Sequence, residues 1–223
     1  MTIYTMRFRY FFDPLCGWCY ASAPALAALA ERAGDRITMM PSGLFTAPRP
    51  VSTMADHAWR NDRWIMELTG QQFTEDYHRN VLLAADGVFD STALTRTLVA
   101  LGEQDRALEA RFLHDAQIAR YVRGEDTAKA EVVARVAATV ANDAGITLGA
   151  DALADRLLRD ARLHMLTDDR IAQTQRDMSA LGIRGVPQLV VDVDGRSHLI
   201  SGEALYAGGN RLLDALSRLT VAA

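Results

Sequence analysis

Phe12-Asp13-Pro14-Leu15-Cys16-Gly17-Trp18-Cys19-Tyr20 decides how the rest of the 223-residue chain is read. It holds both cysteines of the sequence. Two cysteines placed at random would fall three apart about one time in a hundred, so the spacing is informative by itself. Just upstream, Met6, Phe8, Tyr10 and Phe12 alternate with Arg7, Arg9 and Phe11. Period two with aromatic enrichment predicts a strand, and Asp13-Pro14 breaks it. Downstream, residues 16–32 carry Ala21, Ala25, Leu26, Ala28 and Leu29, the body of a helix. Pro24 should kink that helix, because proline removes a donor and crowds the preceding turn. Gly34-Asp35 ends it, and 37–44 reads as a second strand disturbed by Pro41 and Gly43. The cysteines therefore sit where a strand hands over to a helix.

That position has a chemistry. The first N–H groups of a helix lack intrahelical partners, and the positive end of the dipole points the same way. A cysteine placed there is held toward its thiolate, the nucleophilic form. Cys16 occupies the position. Cys19 comes round to nearly the same face one turn deeper, in reach to close a disulfide. The exposed sulfur attacks a partner's disulfide and the deeper one resolves the mixed disulfide. Gly17 permits a tight entry into the helix, and Trp18 offers a flat apolar surface beside Cys16. A structural zinc site would need four ligands. No third cysteine exists, and His57, His78, His114, His164 and His198 show no paired spacing, so no metal is expected.

Residues 48–182 read as helical throughout. Val133, Val136, Ala137, Val140, Ala141 and Ala144 form one stripe. Leu108, Phe112, Ala116 and Ala119 form a second, and Leu153, Leu157 and Ala161 a third. Trp59, Trp64, Phe73 and Tyr77 cluster near the start of this block, as a core group or as a roof over the site. The character then changes. Gly185-Val186-Pro187 leads into Gln188-Leu-Val-Val-Asp-Val193, a buried strand with proline at its start. Asp194-Gly195 is a hairpin turn, 197–201 the return strand, and 203–219 a last helix. The order is β-α-β, a helical block, then β-β-α. It predicts an α/β fold made of residues 1–47 and 183–223, interrupted by an all-helical insertion over 48–182.

Apolar residues make up 49% of the chain and charged residues 23%, which excludes a disordered chain. A formal net charge of −4 leaves no basic surplus for phosphates, so nucleic acid is not an expected partner. No apolar stretch is long enough to span a membrane. The first 13 residues lack the apolar core and cleavage site of a secretory leader, so a reducing cytoplasm is the expected compartment.

The cysteine stretch, joined to Gly185-Val-Pro-Gln-Leu-Val-Val191, resembles the thioredoxin superfamily. More narrowly it is similar to the DsbA branch, whose thioredoxin core carries a helical insertion, and within that to the cytosolic FrnE-like members. The resemblance implies a thiol–disulfide oxidoreductase of reductase or isomerase type. Cys16 would be the nucleophile, Cys19 the resolving thiol and Pro187 a cis-proline facing them. The main chain of Val186 would pair with an extended substrate segment. Asp13, Pro14, Gly17 and Tyr20 would support the site, Asp13 by capping the turn or by exchanging protons with the thiols. Trp18 would touch substrate. The family's active-site histidine has no counterpart in Gly17-Trp18, which implies a milder oxidant than the periplasmic enzyme. Partners would be protein or small-molecule thiols and disulfides. No cofactor is implied beyond the redox-active disulfide, with glutathione as a candidate co-substrate. The helical block could shape a groove or a homodimer face. A glutathione-dependent isomerase or kappa-type glutathione transferase shares the layout; such enzymes commonly carry a serine at the position of Cys16 and lack the second cysteine. A peptide-binding module indifferent to redox state is a third reading.

Overall fold

The computed structural model describes residues 6–200 and 202–219. Strand β1 (Arg7–Phe12) is flanked on one side by β2 (Ile37–Pro41) and on the other by β5 (Gln188–Val193), with β6 (Arg196–Ile200) beyond it. β1 and β2 run parallel, Phe8 opposite Ile37 and Phe12 opposite Pro41. β5 runs antiparallel to β1, with Tyr10 opposite Leu189, and β6 returns antiparallel to β5. Phe8, Tyr10 and Phe12 fill the main core, while Phe11 packs on the other face with Met40, Ile183 and Val190. Both faces are covered at the end of β1, so the alternation expected there ends in a run of buried aromatics. The return strand is described as far as Ile200; Ser201, the last residue expected in it, lies outside the described residues.

The helix expected over 16–32 is two helices, α1 (Gly17–Ala21) and α2 (Ala23–Ala33), with Ser22 between them. Pro24 does not kink a continuous helix. It lies in the first turn of α2, where a missing N–H costs nothing. β2 ends at Pro41 rather than at Leu44. The last helix is also divided, into α10 (Gly202–Tyr206) and α11 (Gly209–Leu219), by Gly208 with φ of 88°.

Between β2 and β5 the chain is not all helical. Strand β3 (Arg49–Pro50) pairs with β4 (Val88–Phe89), a pair too short to leave an alternating pattern. The helices are α3 (Ala55–Thr69), α4 (Glu75–Tyr77), which continues as a π turn over His78–Leu82, α5 (Thr92–Gly102), α6 (Ala107–Tyr121), α7 (Ala130–Asp143), α8 (Ala150–Arg159) and α9 (Ala161–Ala180). The α7 stripe is buried from Val133 to Ala141, but Ala144 lies past the helix end and is exposed. The third stripe is split. Leu153 and Leu157 are buried on α8, whereas Ala161 opens α9, whose start is capped by the Asp160 carboxylate accepting from the N–H groups of Arg162 and Leu163.

A half-buried ion pair ties this block to the sheet. Glu109 of α6 is 3% exposed and accepts from Arg170 of α9 at 2.9 Å, and Arg170 also donates to the Met39 carbonyl of β2 at 2.6 Å.

Candidate active site

Cys16 caps α1 with extended dihedrals (φ −78°, ψ 117°), and its carbonyl accepts from the N–H groups of Cys19 at 2.9 Å and Tyr20 at 3.1 Å. Its sulfur therefore stands at the helix start while Cys19 follows one turn in. Cys16 is 9% exposed and Cys19 1%. Both are free thiols, near enough for the Cys16 sulfur to act on the Cys19 thiol. Burial raises the Cys19 thiol well above its ordinary range, and the neighbouring Cys16 sulfur adds to this. The Asp13 backbone N–H, directed at Cys19, works against the rise.

The Val186–Pro187 peptide is cis, and the Cys16 sulfur lies 3.7 Å from the Val186 carbonyl oxygen as a donor to it. Residues 170 positions apart are thus brought together at the thiol, Pro187 buried and Val186 half-buried.

Asp13 is fully buried. One carboxylate oxygen accepts from the Leu15 N–H at 3.0 Å; the other accepts from the Phe45 N–H and the Ser91 hydroxyl, each at 3.1 Å. Burial lifts its carboxyl to about 6, and these donors pull it back. Both oxygens are engaged, so the buried side chain ties together the turn at Leu15, the segment at Phe45 and the start of α5 at Ser91. Pro14 is buried in the same turn.

Gly17 has a specific reason to be glycine. A Cβ there would stand 2.5 Å from a carboxylate oxygen of Asp62 and 3.2 Å from Cδ1 of Ile65, both on α3. Asp62 is 4% exposed and its other oxygen accepts from the Tyr77 hydroxyl at 2.9 Å. Burial lifts Asp62 to about 7, while Tyr77 and the Arg120 charge hold it down. The sequence reading missed Asp62, Tyr10 and Ser22. The Tyr10 and Ser22 hydroxyls share a hydrogen bond at 2.6 Å, and Ser22 Oγ donates to the Cys19 carbonyl at 2.9 Å, bracing the break after α1.

Trp18 is half-buried beside the thiols, packed against Tyr206 of α10 at 4.7 Å and edge-on to Trp64 at 5.1 Å between centroids. Trp64 is 57% exposed. Tyr20 is a core residue, stacked on Tyr121 at 4.9 Å and edge-on to Phe73. Of the aromatic cluster, Phe73 and Tyr77 are buried around Tyr20 and Tyr121, Trp59 stacks on His78, and Trp64 alone comes to the thiol side. Among the described residues no group of three or more His, Cys, Asp or Glu side chains could hold a metal. No helix among them is long and apolar enough to cross a membrane.

Compared with known proteins, residues 8–215 match the model of the DSBA-like thioredoxin domain family. The cytosolic disulfide reductase DsbM from Pseudomonas aeruginosa superposes with a TM-score of 0.80 at 29% identity, covering 96% of this chain and 99% of that one. A structure of the same protein with GSH superposes at 0.79, covering 95% and 99% at 29% identity. A candidate protein disulfide isomerase from Nitrosomonas europaea superposes at 0.70 with 23% identity, over 96% and 98%, and shows the shared fold. A search of curated proteins finds no match.

Proposed function

The chain belongs to the DSBA-like thioredoxin domain family, and from that premise we propose that it is a thiol–disulfide oxidoreductase acting as a disulfide reductase or isomerase. The observation that carries this reading is Cys16 at the start of α1, facing the Val186 carbonyl, with Cys19 buried behind it and in reach. The Cys16 thiolate attacks one sulfur of a substrate disulfide. Its S–S bond breaks, a mixed disulfide forms on Cys16, and the first thiolate leaves. The Cys19 proton passes to the departed thiolate, and the Cys19 sulfur attacks the Cys16 sulfur, closing the Cys16–Cys19 disulfide as the mixed S–S bond breaks and the second thiolate leaves. Two electrons pass from the dithiol to the substrate.

Trp18 and the Val186 main chain bind the substrate next to the reacting sulfur, the latter by strand addition, and Pro187 fixes that segment. Asp13, Pro14, Gly17 and Tyr20 position the loop. The insertion runs over 48–182, within a thioredoxin-like domain made of 1–47 and 183–223. No cofactor beyond the cysteine pair takes part. The electron donor is a small thiol, glutathione among them, in a reducing cytoplasm where the dithiol is the resting form. The relative named as cytosolic and the structure of that relative with GSH support these two points.

Reduction of insulin by the wild type is expected to be lost in Cys16→Ser. Cys19→Ser should instead accumulate a covalent mixed disulfide on Cys16. Iodoacetamide should label Cys16 before Cys19. Insulin reduction surviving Cys16→Ser would overturn the reading.

A further inference from the structure

A cavity of about 630 Å³ reaches Val186, between the turn Ser42–Leu44, the C-terminal part of α9 and the segment Gly182–Val186. Three observations give it a ligand chemistry. First, it lies past the carboxyl ends of the parallel strands β1 and β2. β1 runs on to Cys16 and β2 to Ser42, and the crevice beyond such strand ends is where open α/β sheets bind ligands. Second, Ser42 is 7% exposed, and its hydroxyl has no hydrogen-bond partner. Its main chain is satisfied: the N–H donates to the Phe12 carbonyl at 2.7 Å, and its carbonyl accepts from Gln175 Nε2 at 3.1 Å. A buried hydroxyl left unpaired beside a cavity calls for a partner there. Third, Arg184 is exposed at the lining and, among the described residues, is the only charged side chain there, with no carboxylate beside it.

We propose that this cavity is a carboxylate subsite for low-molecular-weight disulfides, in which Arg184 and the Ser42 hydroxyl hold a carboxylate carried a few bonds from the sulfur that Cys16 attacks. The proposal rests on the thiol–disulfide reading. Val186 joins the two places, lining the cavity and accepting from the Cys16 sulfur. A guanidinium fits a carboxylate with paired donors, and a buried hydroxyl adds a donor for the same group. The bulk of the ligand lies in the cavity while its sulfur is presented to Cys16. The exchange balances within the chain: the dithiol and one disulfide give the Cys16–Cys19 disulfide and two small thiols, which carry away both protons.

The test uses the reduced full chain and two oxidants, glutathione disulfide, which carries carboxylates, and bis(2-hydroxyethyl) disulfide, which is neutral. Oxidation rates are followed by loss of free thiol, and the readout is the ratio of the two second-order rate constants. Arg184→Gln is expected to lower that ratio about tenfold and Ser42→Ala about threefold. Arg111→Gln removes an exposed charge on α6 away from the thiols and should leave the ratio within about twofold, separating contact from long-range attraction. An unchanged ratio in Arg184→Gln, or an equal fall in Arg111→Gln, overturns the subsite and leaves the thiol chemistry standing. A wild type oxidised by neither disulfide refutes the thiol–disulfide reading, and the subsite with it.

Discussion

Gly17→Ala is the smallest change that tests how the thiols are positioned. The new methyl group would arrive 2.5 Å from the Asp62 oxygen and 3.2 Å from Ile65 Cδ1. Asp62 has nowhere to go, being 4% exposed and held by the Tyr77 hydroxyl at 2.9 Å. Either α1 moves off α3, or the bond to Tyr77 is broken. Overpacking of this kind costs about 1–3 kcal/mol, and a stranded buried donor costs a similar amount. The lower chain entropy of alanine returns roughly 0.5–1 kcal/mol. The net expectation is about 2 kcal/mol, which for a chain of this size lowers the melting temperature by about 4–8 °C. Calorimetry of the reduced protein at neutral pH reads it. The Gly17→Ala/Asp62→Ala double variant should be less destabilised than the sum of its singles by about 1 kcal/mol or more, since removing the carboxylate makes room for the methyl. A Gly17→Ala melting temperature within about 1 °C of wild type, or strict additivity in the double variant, would refute this account of the α1–α3 contact.

Asp62 also makes stability depend on pH. Burial raises its folded value to about 7 from an unfolded value near 3.8, so the neutral carboxyl is the form that folding favours. The stabilisation is complete below about pH 4 and is lost as pH rises through 7; at full loss it is on the order of 4 kcal/mol. Asp13, raised to about 6, acts with the same sign over a lower window. Urea unfolding at pH 5 and pH 8 should show wild type losing more stability than Asp62→Asn, whose neutral amide can still accept from Tyr77; parallel losses would contradict the assignment. Glu109→Gln removes the charge partner of a half-buried Arg170 that keeps its bond to the Met39 carbonyl, and should cost about 1–2 kcal/mol in urea unfolding, most of it recovered in Glu109→Leu/Arg170→Met. A cost under about 0.5 kcal/mol would mean the pair does not clamp α6 to α9.

The parts of this fold legible in the sequence are those whose cause is local. The aromatic alternation of 6–12, the valine run of 188–193 and the Asp194-Gly195 turn each carry their geometry in a few neighbouring residues, and the cysteine spacing does the same for the site. Helix interruption was harder to place, because a proline signals a break without saying where the next helix begins. Pro24 proved to start a helix, and the Ser22 hydroxyl that braces the joint has a local partner in the Cys19 carbonyl and a second, the Tyr10 hydroxyl, that the fold brings to it. Residues that act through distant partners left no local trace. Asp62 sits among Arg60, Asn61 and Arg63, and Glu109 between Leu108 and Ala110; neither setting names the distant partner. Only the arrival of Gly17 beside one and Arg170 beside the other makes them buried. Ser42 and Arg184 are ordinary loop residues until Val186 is placed between them and the thiol.

The same long-range contacts explain what a helical block of this size does for two sulfur atoms. The segment 13–20 is a turn and little more than one turn of helix, too short to hold its own geometry. The sheet fixes its entry through β1, and Val186 meets it from the strand side. Trp18 leans on Tyr206 of α10 and the Cys19 carbonyl is held by Ser22, while the ties at residues 13, 15, 17 and 20 come from the stretch between β2 and β5. The Asp13 carboxylate accepts from Phe45 and Ser91, the Leu15 carbonyl accepts from the Tyr121 hydroxyl at 2.8 Å, Gly17 abuts Asp62, and the Tyr20 carbonyl accepts from Gln71 at 2.9 Å. The contacts fall at residues 13, 15, 17 and 20, spread along the whole turn. A thiol pair that exchanges bonds within itself needs its two sulfurs kept in register through both redox states, and the ties act on the backbone and Asp13, leaving the sulfurs themselves unencumbered. The helical block therefore belongs to the active site mechanically, as the frame against which Cys16 is presented.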